Sequence, residues 1–195
     1  IVSSVYPSLV KPGETGGNPI DCRLNLTVKE DSALSQFFKL PVDFIYPVNV
    51  SSYANGGDNP TLGLSVDMPF LRNKNKLIEG SRLSLLVDGV ARKMEFLAHT
   101  SFPTKDGKLD LDLKSMGHTD SIATDISWVV DRDKEFRGNL SFDTDFRRDT
   151  IDNSLLTDIV INKSKMVFND SMWTVNPSRI NIAPHRVVVD NLSGG

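Results

Sequence analysis

The chain has 195 residues, 39% hydrophobic and 24% charged, which suits one folded domain or one slab of a repetitive structure and argues against disorder. A formal net charge of -3, with Lys and Arg scattered, leaves no basic field to draw in nucleic acid. One cysteine, Cys22, excludes an intrachain disulfide.

The chain begins in mid-pattern at Ile1-Val2, and Pro12 to Pro19 form an irregular Gly/Pro-rich stretch. Period-two alternation starts at residues 22–28, Cys-Arg-Leu-Asn-Leu-Thr-Val, where Cys22 is expected to act as a small core residue. Leu34, Phe37 and Phe38 stand at helical spacing, so Ser32 to Leu40 allow a turn or two of helix before Pro41 ends it. The loop Asn55-Gly56-Gly57-Asp58 precedes a second alternating run with Leu62, Leu64, Val66 and Met68.

From there the runs follow closely. They carry Leu83/Leu85/Val87, Met94/Phe96/Ala98, Leu109/Leu111/Leu113, Ile122/Ile126/Trp128 and Leu140/Phe142/Phe146, then Ile159/Ile161, Met166/Phe168 and Ile180/Ile182. Hairpin punctuation separates them: Asp88-Gly89, expected as a tight turn with positive φ, Lys105 to Lys108, Gly117 to Asp120 and Asp131 to Lys134. The expectation is an all-β antiparallel meander in which each strand has one apolar and one polar face. The last run is unfinished at Gly194-Gly195, so the sequence reads as an internal piece, residues 1–195, of a longer protein. No apolar stretch approaches the ~18 residues of a spanning helix.

Little in the sequence points to catalysis. His99, His118 and His185 are isolated, without metal-ligand spacing. The carboxylate pairs Asp110/Asp112, Asp131/Asp133 and Asp143/Asp145 read as solvated strand faces. No nucleophile elbow, phosphate loop or calcium loop is present. The expectation is a protein without catalytic, cofactor or metal residues. Asn-x-Ser/Thr triplets at Asn25, Asn139 and Asn191 read as chance in a polar β chain. Trp173, just before Pro177, is expected to pack over the end of the sheet. What remains is the apolar face, which a closed sandwich would bury as core and an open sheet would offer as a trough. Pattern alone favours the core.

Residues 66–193 also carry a resemblance. Asp67-Met68-Pro69-Phe70-Leu71 leads to Ile78-Glu79-Gly80-Ser81-Arg82-Leu83, then Phe102 to Lys108, then Asp120-Ser121-Ile122 and Ile126-Ser127-Trp128. The end reads Phe168-Asn169-Asp170-Ser171-Met172-Trp173-Thr174-Val175-Asn176-Pro177-Ser178-Arg179-Ile180, followed by Arg186-Val187-Val188-Val189-Asp190-Asn191-Leu192. This order resembles the long TamB-type translocation and assembly module proteins of Bacteroidetes, in the AsmA-like superfamily.

The resemblance implies a slab of a U-shaped β-taco, a solenoid with a hydrophobic concave face, in a periplasmic protein anchored in the inner membrane. It implies transport of phospholipid between the membranes with no cofactor. The alternative role is a chaperone for assembly of outer-membrane β-barrel proteins, with a barrel partner of the full-length protein. It turns the apolar face from core into groove, lined by Leu109, Leu111, Leu113, Leu140, Phe142 and Phe146. The cargo would be acyl chains or unfolded outer-membrane strands.

Overall fold

A computed structural model describes residues 2–10, 21–29, 43–44, 47–73, 76–105, 107–130, 136–169, 171–191 and 193–194. The stretches Pro12 to Pro19 and Ser32 to Leu40, and the Asp131/Asp133 pair, lie outside the described residues. Among those described, a short helix α1 (Val2–Val5) and a 3-10 turn (Pro7–Leu9) precede fourteen strands. These are β1 (Cys22–Val28), β2 (Asp43–Phe44), β3 (Val48–Asn55), β4 (Thr61–Asn73), β5 (Lys76–Asp88), β6 (Lys93–Thr104) and β7 (Gly107–His118). They continue as β8 (Ser121–Val130), β9 (Arg137–Arg148), β10 (Leu155–Ile161), β11 (Ser164–Phe168), β12 (Ser171–Val175), β13 (Ser178–Ala183) and β14 (Arg186–Asp190).

All fourteen belong to one antiparallel sheet that runs from β1 to β14 without closing. The chain is therefore the open meander, and the closed-sandwich alternative does not hold. Register fixes the faces. Leu64, Leu85, Phe96, Ser115, Thr124, Phe142 and Ile161 are successive cross-strand partners. One row along, Leu83, Ala98, Leu113, Ile126 and Leu140 pair in the same way. The opposite face carries the row Asp67, Arg82, His99, Asp112, Ser127 and Asn139.

Only six hydrophobic residues are buried among those described, namely Val5, Tyr6, Val48, Leu71, Val87 and Val130. A single layer explains this, because no described second sheet covers either face. It also corrects two expectations. Cys22 is exposed on edge strand β1, and Trp173 is 49% exposed on β12. Alternation assigned their face, but that face is uncovered.

The turns use residues that tolerate a left-handed backbone. Asp120, Asn153, Asn169 and Asn191 all have φ between 47° and 59°. The β5–β6 connection differs from the expected Asp88-Gly89 turn. The Asp88 carboxylate accepts from the Val90 and Ala91 amides at 2.9 and 2.8 Å, and the positive φ falls on Arg92. Gly89 is needed for close approach instead: a Cβ there would lie 2.6 Å from Pro60 Cγ.

Past β9 the neighbouring lines are broken. β10 pairs with the second half of β9 and β11 with its start, while β13 and β12 repeat the division one line further out. The breaks are built from Asn-x-Ser. Ser164 Oγ donates to the Asn162 carbonyl at 2.9 Å, and Ser178 Oγ donates to the Asn176 carbonyl at 3.0 Å. Asn162 N–H donates to the Ser141 carbonyl and Asn176 N–H to the Ser193 carbonyl, at 2.8 and 3.1 Å. These two Asn-x-Ser triplets, bonded through their asparagine amides to Ser141 and Ser193, thus form a transverse crease. In place of ladder bonds the buried Ser164 and Ser178 hydroxyls satisfy backbone groups, as buried polar groups require.

Candidate functional site

The six sequence-expected groove residues lie on one face, but at different places along it. Leu109, Leu111 and Leu113 occupy the first half of β7, with Leu140 beside Ile126 on the far side of β8. Phe142 and Phe146 line a separate hollow of about 260 Å³ further along, together with Leu85, Met94, Phe96 and Ile122. Its floor is the row position where large side chains give way to small ones. There Ser115 and Thr124 share a hydrogen bond of 3.0 Å, and both are buried. This pair satisfies most of its own polar demand, so apolar matter can rest on it at little cost. The small residues in the middle of an otherwise large-residue row were the signal for the hollow, and alternation counting passes over them.

Beside this hollow another segment packs on one of its walls. Tyr6, from the segment after α1, packs edge-on to Phe146, with ring centroids 6.1 Å apart and planes at 85°. Nothing in the sequence reading anticipated this segment.

The opposite face is hollow too, as befits a twisted sheet. A depression of about 840 Å³ is lined by Asp67, Arg82, Leu97, His99, Asp112, Lys114 and Asp125 among others. Across it Arg82 Nε stands 3.2 Å from Asp67, and His99 Nδ1 shares a hydrogen bond of 2.7 Å with Asp112. Both pairs are solvent-exposed and contribute little to stability.

His99 Nε2 is 3.5 Å from Ser101 Oγ, so Asp112, His99 and Ser101 follow the order of an acid–base–nucleophile relay. The resemblance stops at the serine. Ser101 is 1% exposed and gives its hydroxyl proton to Asp110, so its oxygen has neither access nor the proton path that attack needs. Of the carboxylates expected on solvated faces, Asp112 and Asp145 are exposed and Asp110 and Asp143 half-exposed, while Asp131 and Asp133 lie outside the described residues. Asp143 accepts from Asn162 Nδ2 at 2.9 Å, and Asp145 stands opposite Asp158, which binds Arg147 at 2.9 Å. His118 is exposed, and His185 occupies the β13–β14 turn with φ 60°.

Among the described residues no three His, Cys, Asp or Glu side chains converge to hold a metal ion, and no helix is long and apolar enough to cross a membrane. No family model, curated protein or solved structure matches this sequence.

Proposed function

We propose that this chain is a stretch of a longer periplasmic protein, of the TamB type, whose apolar face shelters phospholipid acyl chains moving between the inner and outer membranes. The observation that carries the reading is the apolar face itself. It runs from Val66 on β4 through Leu83, Ala98, Leu113 and Ile126 to Leu140 on β9 and, among the described residues, only the α1 segment lies over it. A soluble monomer does not ordinarily leave so continuous an apolar surface uncovered. Burying a methylene against it is worth about 0.8 kcal/mol, so an acyl chain is held through many weak contacts and can still slide. The protein would do no chemistry and would need no cofactor.

Among the described residues β1 and β14 have no outer neighbour, which favours a second reading, a scaffold that holds unfolded outer-membrane strands by backbone pairing before a barrel partner receives them. Peptides from barrel strands would then bind in a manner abolished by N-methylation of their backbone, whereas lipid uptake is indifferent to the edges.

Phe142→Asp tests the leading reading. The site is half-buried beside an open hollow, so the new carboxylate reaches water and the sheet still folds. The expected result is a soluble, cooperatively melting protein with reduced uptake of fluorescent phospholipid, and a full-length protein that fails to support envelope integrity. Unchanged uptake by a folded variant defeats the reading at this position.

A further inference from the structure

The hollow on the apolar face borders the seat that Val5 and Tyr6 occupy. Val5 is fully buried and Tyr6 is 4% exposed, both packed with Val87. Their seat includes Leu85, Met94, Ile122 and Phe146, and the same four side chains line the hollow. The segment and the empty space therefore share a wall. The sheet is shaped to receive the phenol: Gly117 lies beneath it, and a Cβ there would collide with the Tyr6 hydroxyl. That hydroxyl donates to Met94 Sδ at 3.6 Å.

The segment is also fastened from both sides. Asp120 N–H donates to the Val5 carbonyl at 2.9 Å, and the Asp120 carboxylate accepts from Ser8 N–H and Oγ at 2.9 and 2.8 Å. Arg148 donates from Nε to the Ser8 carbonyl at 2.7 Å and from Nη2 to the Val10 carbonyl at 3.3 Å.

We infer that Val5 and Tyr6 form an end stop for the apolar hollow, so that the site takes the tail of a straight alkyl chain and sets an upper length for it. The inference rests on the reading that the apolar face binds alkyl chains. Beyond the hollow, away from Tyr6, the face continues through the row of Ala98, Leu113, Ile126 and Leu140, so a chain can lie along the strands from that side. Its terminal methyl meets the phenol at the other end. Each methylene that fits strengthens binding roughly fourfold, and each one beyond the stop adds nothing unless Tyr6 is displaced.

Straight-chain fatty acids of increasing length, competing with a fluorescent naphthylamine probe, test this. In the parent the affinity rises with each methylene and then levels. In Tyr6→Ala it levels at a longer chain. Asp120→Gly gives a smaller shift in the same direction, because it removes both bonds to Ser8 but keeps the amide bond to Val5, leaves the lining untouched and keeps a residue suited to φ 58°. A parent whose affinity climbs without levelling overturns the end stop, whatever the variants do. So does levelling at one length in all three proteins, and in either case alkyl binding itself stands. If no fatty acid displaces the probe from the parent, alkyl binding and the end stop fall together.

Discussion

Trp128 lies across Gly138 so closely that a Cβ on the glycine would sit 2.5 Å from the indole Cζ2 and 2.8 Å from Met166 Cβ. The two are cross-strand partners on the apolar face, and Met166 follows on the next line. A glycine inside a strand costs backbone entropy, and here the space it leaves is filled by the ring. Gly138→Ala should therefore destabilise the protein by about 1–3 kcal/mol through overpacking. Combining it with Trp128→Leu should recover part of the loss, a coupling readable in denaturant midpoints. Equal midpoints for the parent and Gly138→Ala would show that the ring has another place to go.

The crease makes a sharper comparison. Ser164 Oγ both donates to the Asn162 carbonyl and accepts from the Ser141 amide at 3.1 Å, whereas Ser178 Oγ only donates, to the carbonyls of Asn176 and Asn191. Removing the acceptor strands a backbone N–H, and removing the donor leaves carbonyls that have other lone pairs. Ser164→Ala is expected to cost about 1–3 kcal/mol, more than Ser178→Ala, with faster hydrogen exchange at the Ser141 amide. Slower or equal exchange there would place the Ser141 amide in a different bond.

The meander was legible because period-two alternation is a local property. Runs such as Leu109/Leu111/Leu113 and Leu140/Phe142/Phe146 specify a face whatever they pair with. The crease was not legible, because Asn162-Lys163-Ser164 gains its meaning only when Ser141 is the neighbour across the line. The α1 segment was missed for a related reason. Four residues have no period to read, and Val5 and Tyr6 become core only through Gly117 and Phe146, more than a hundred positions away. Trp173 and Cys22 show the remaining limit, since alternation states which way a side chain points and not whether anything lies over it.

Trp173 yields a prediction of its own. Half exposed and opposite Met166 on a line near the edge of the sheet, it has about half the apolar area of a packed indole to lose. Trp173→Ala should cost about 1–2 kcal/mol, rather than the roughly 3–5 expected of a fully packed indole. A large drop in the denaturant midpoint would mean that the indole is covered in solution.

Tyr6 connects stability to pH. Its phenol is held above the ordinary value of 10.0 by burial in the seat formed with Val87 and Phe146, since the phenolate would lose its water there. A raised value means that the folded seat favours the neutral form. Its contribution is fully present below the unfolded value near 10 and is lost as pH rises through the higher folded value. The segment from α1 to the 3-10 turn should accordingly loosen in alkali, leaving the hollow open at both ends. Absorbance titration of the three tyrosines should show one ionising late, and Tyr6→Phe should lack that component. The same variant keeps the ring against Phe146, so its α1 segment should stay seated at a pH where the parent's has begun to leave. If the late component persists in Tyr6→Phe, the buried phenol belongs to another tyrosine and the alkaline loosening has a different cause.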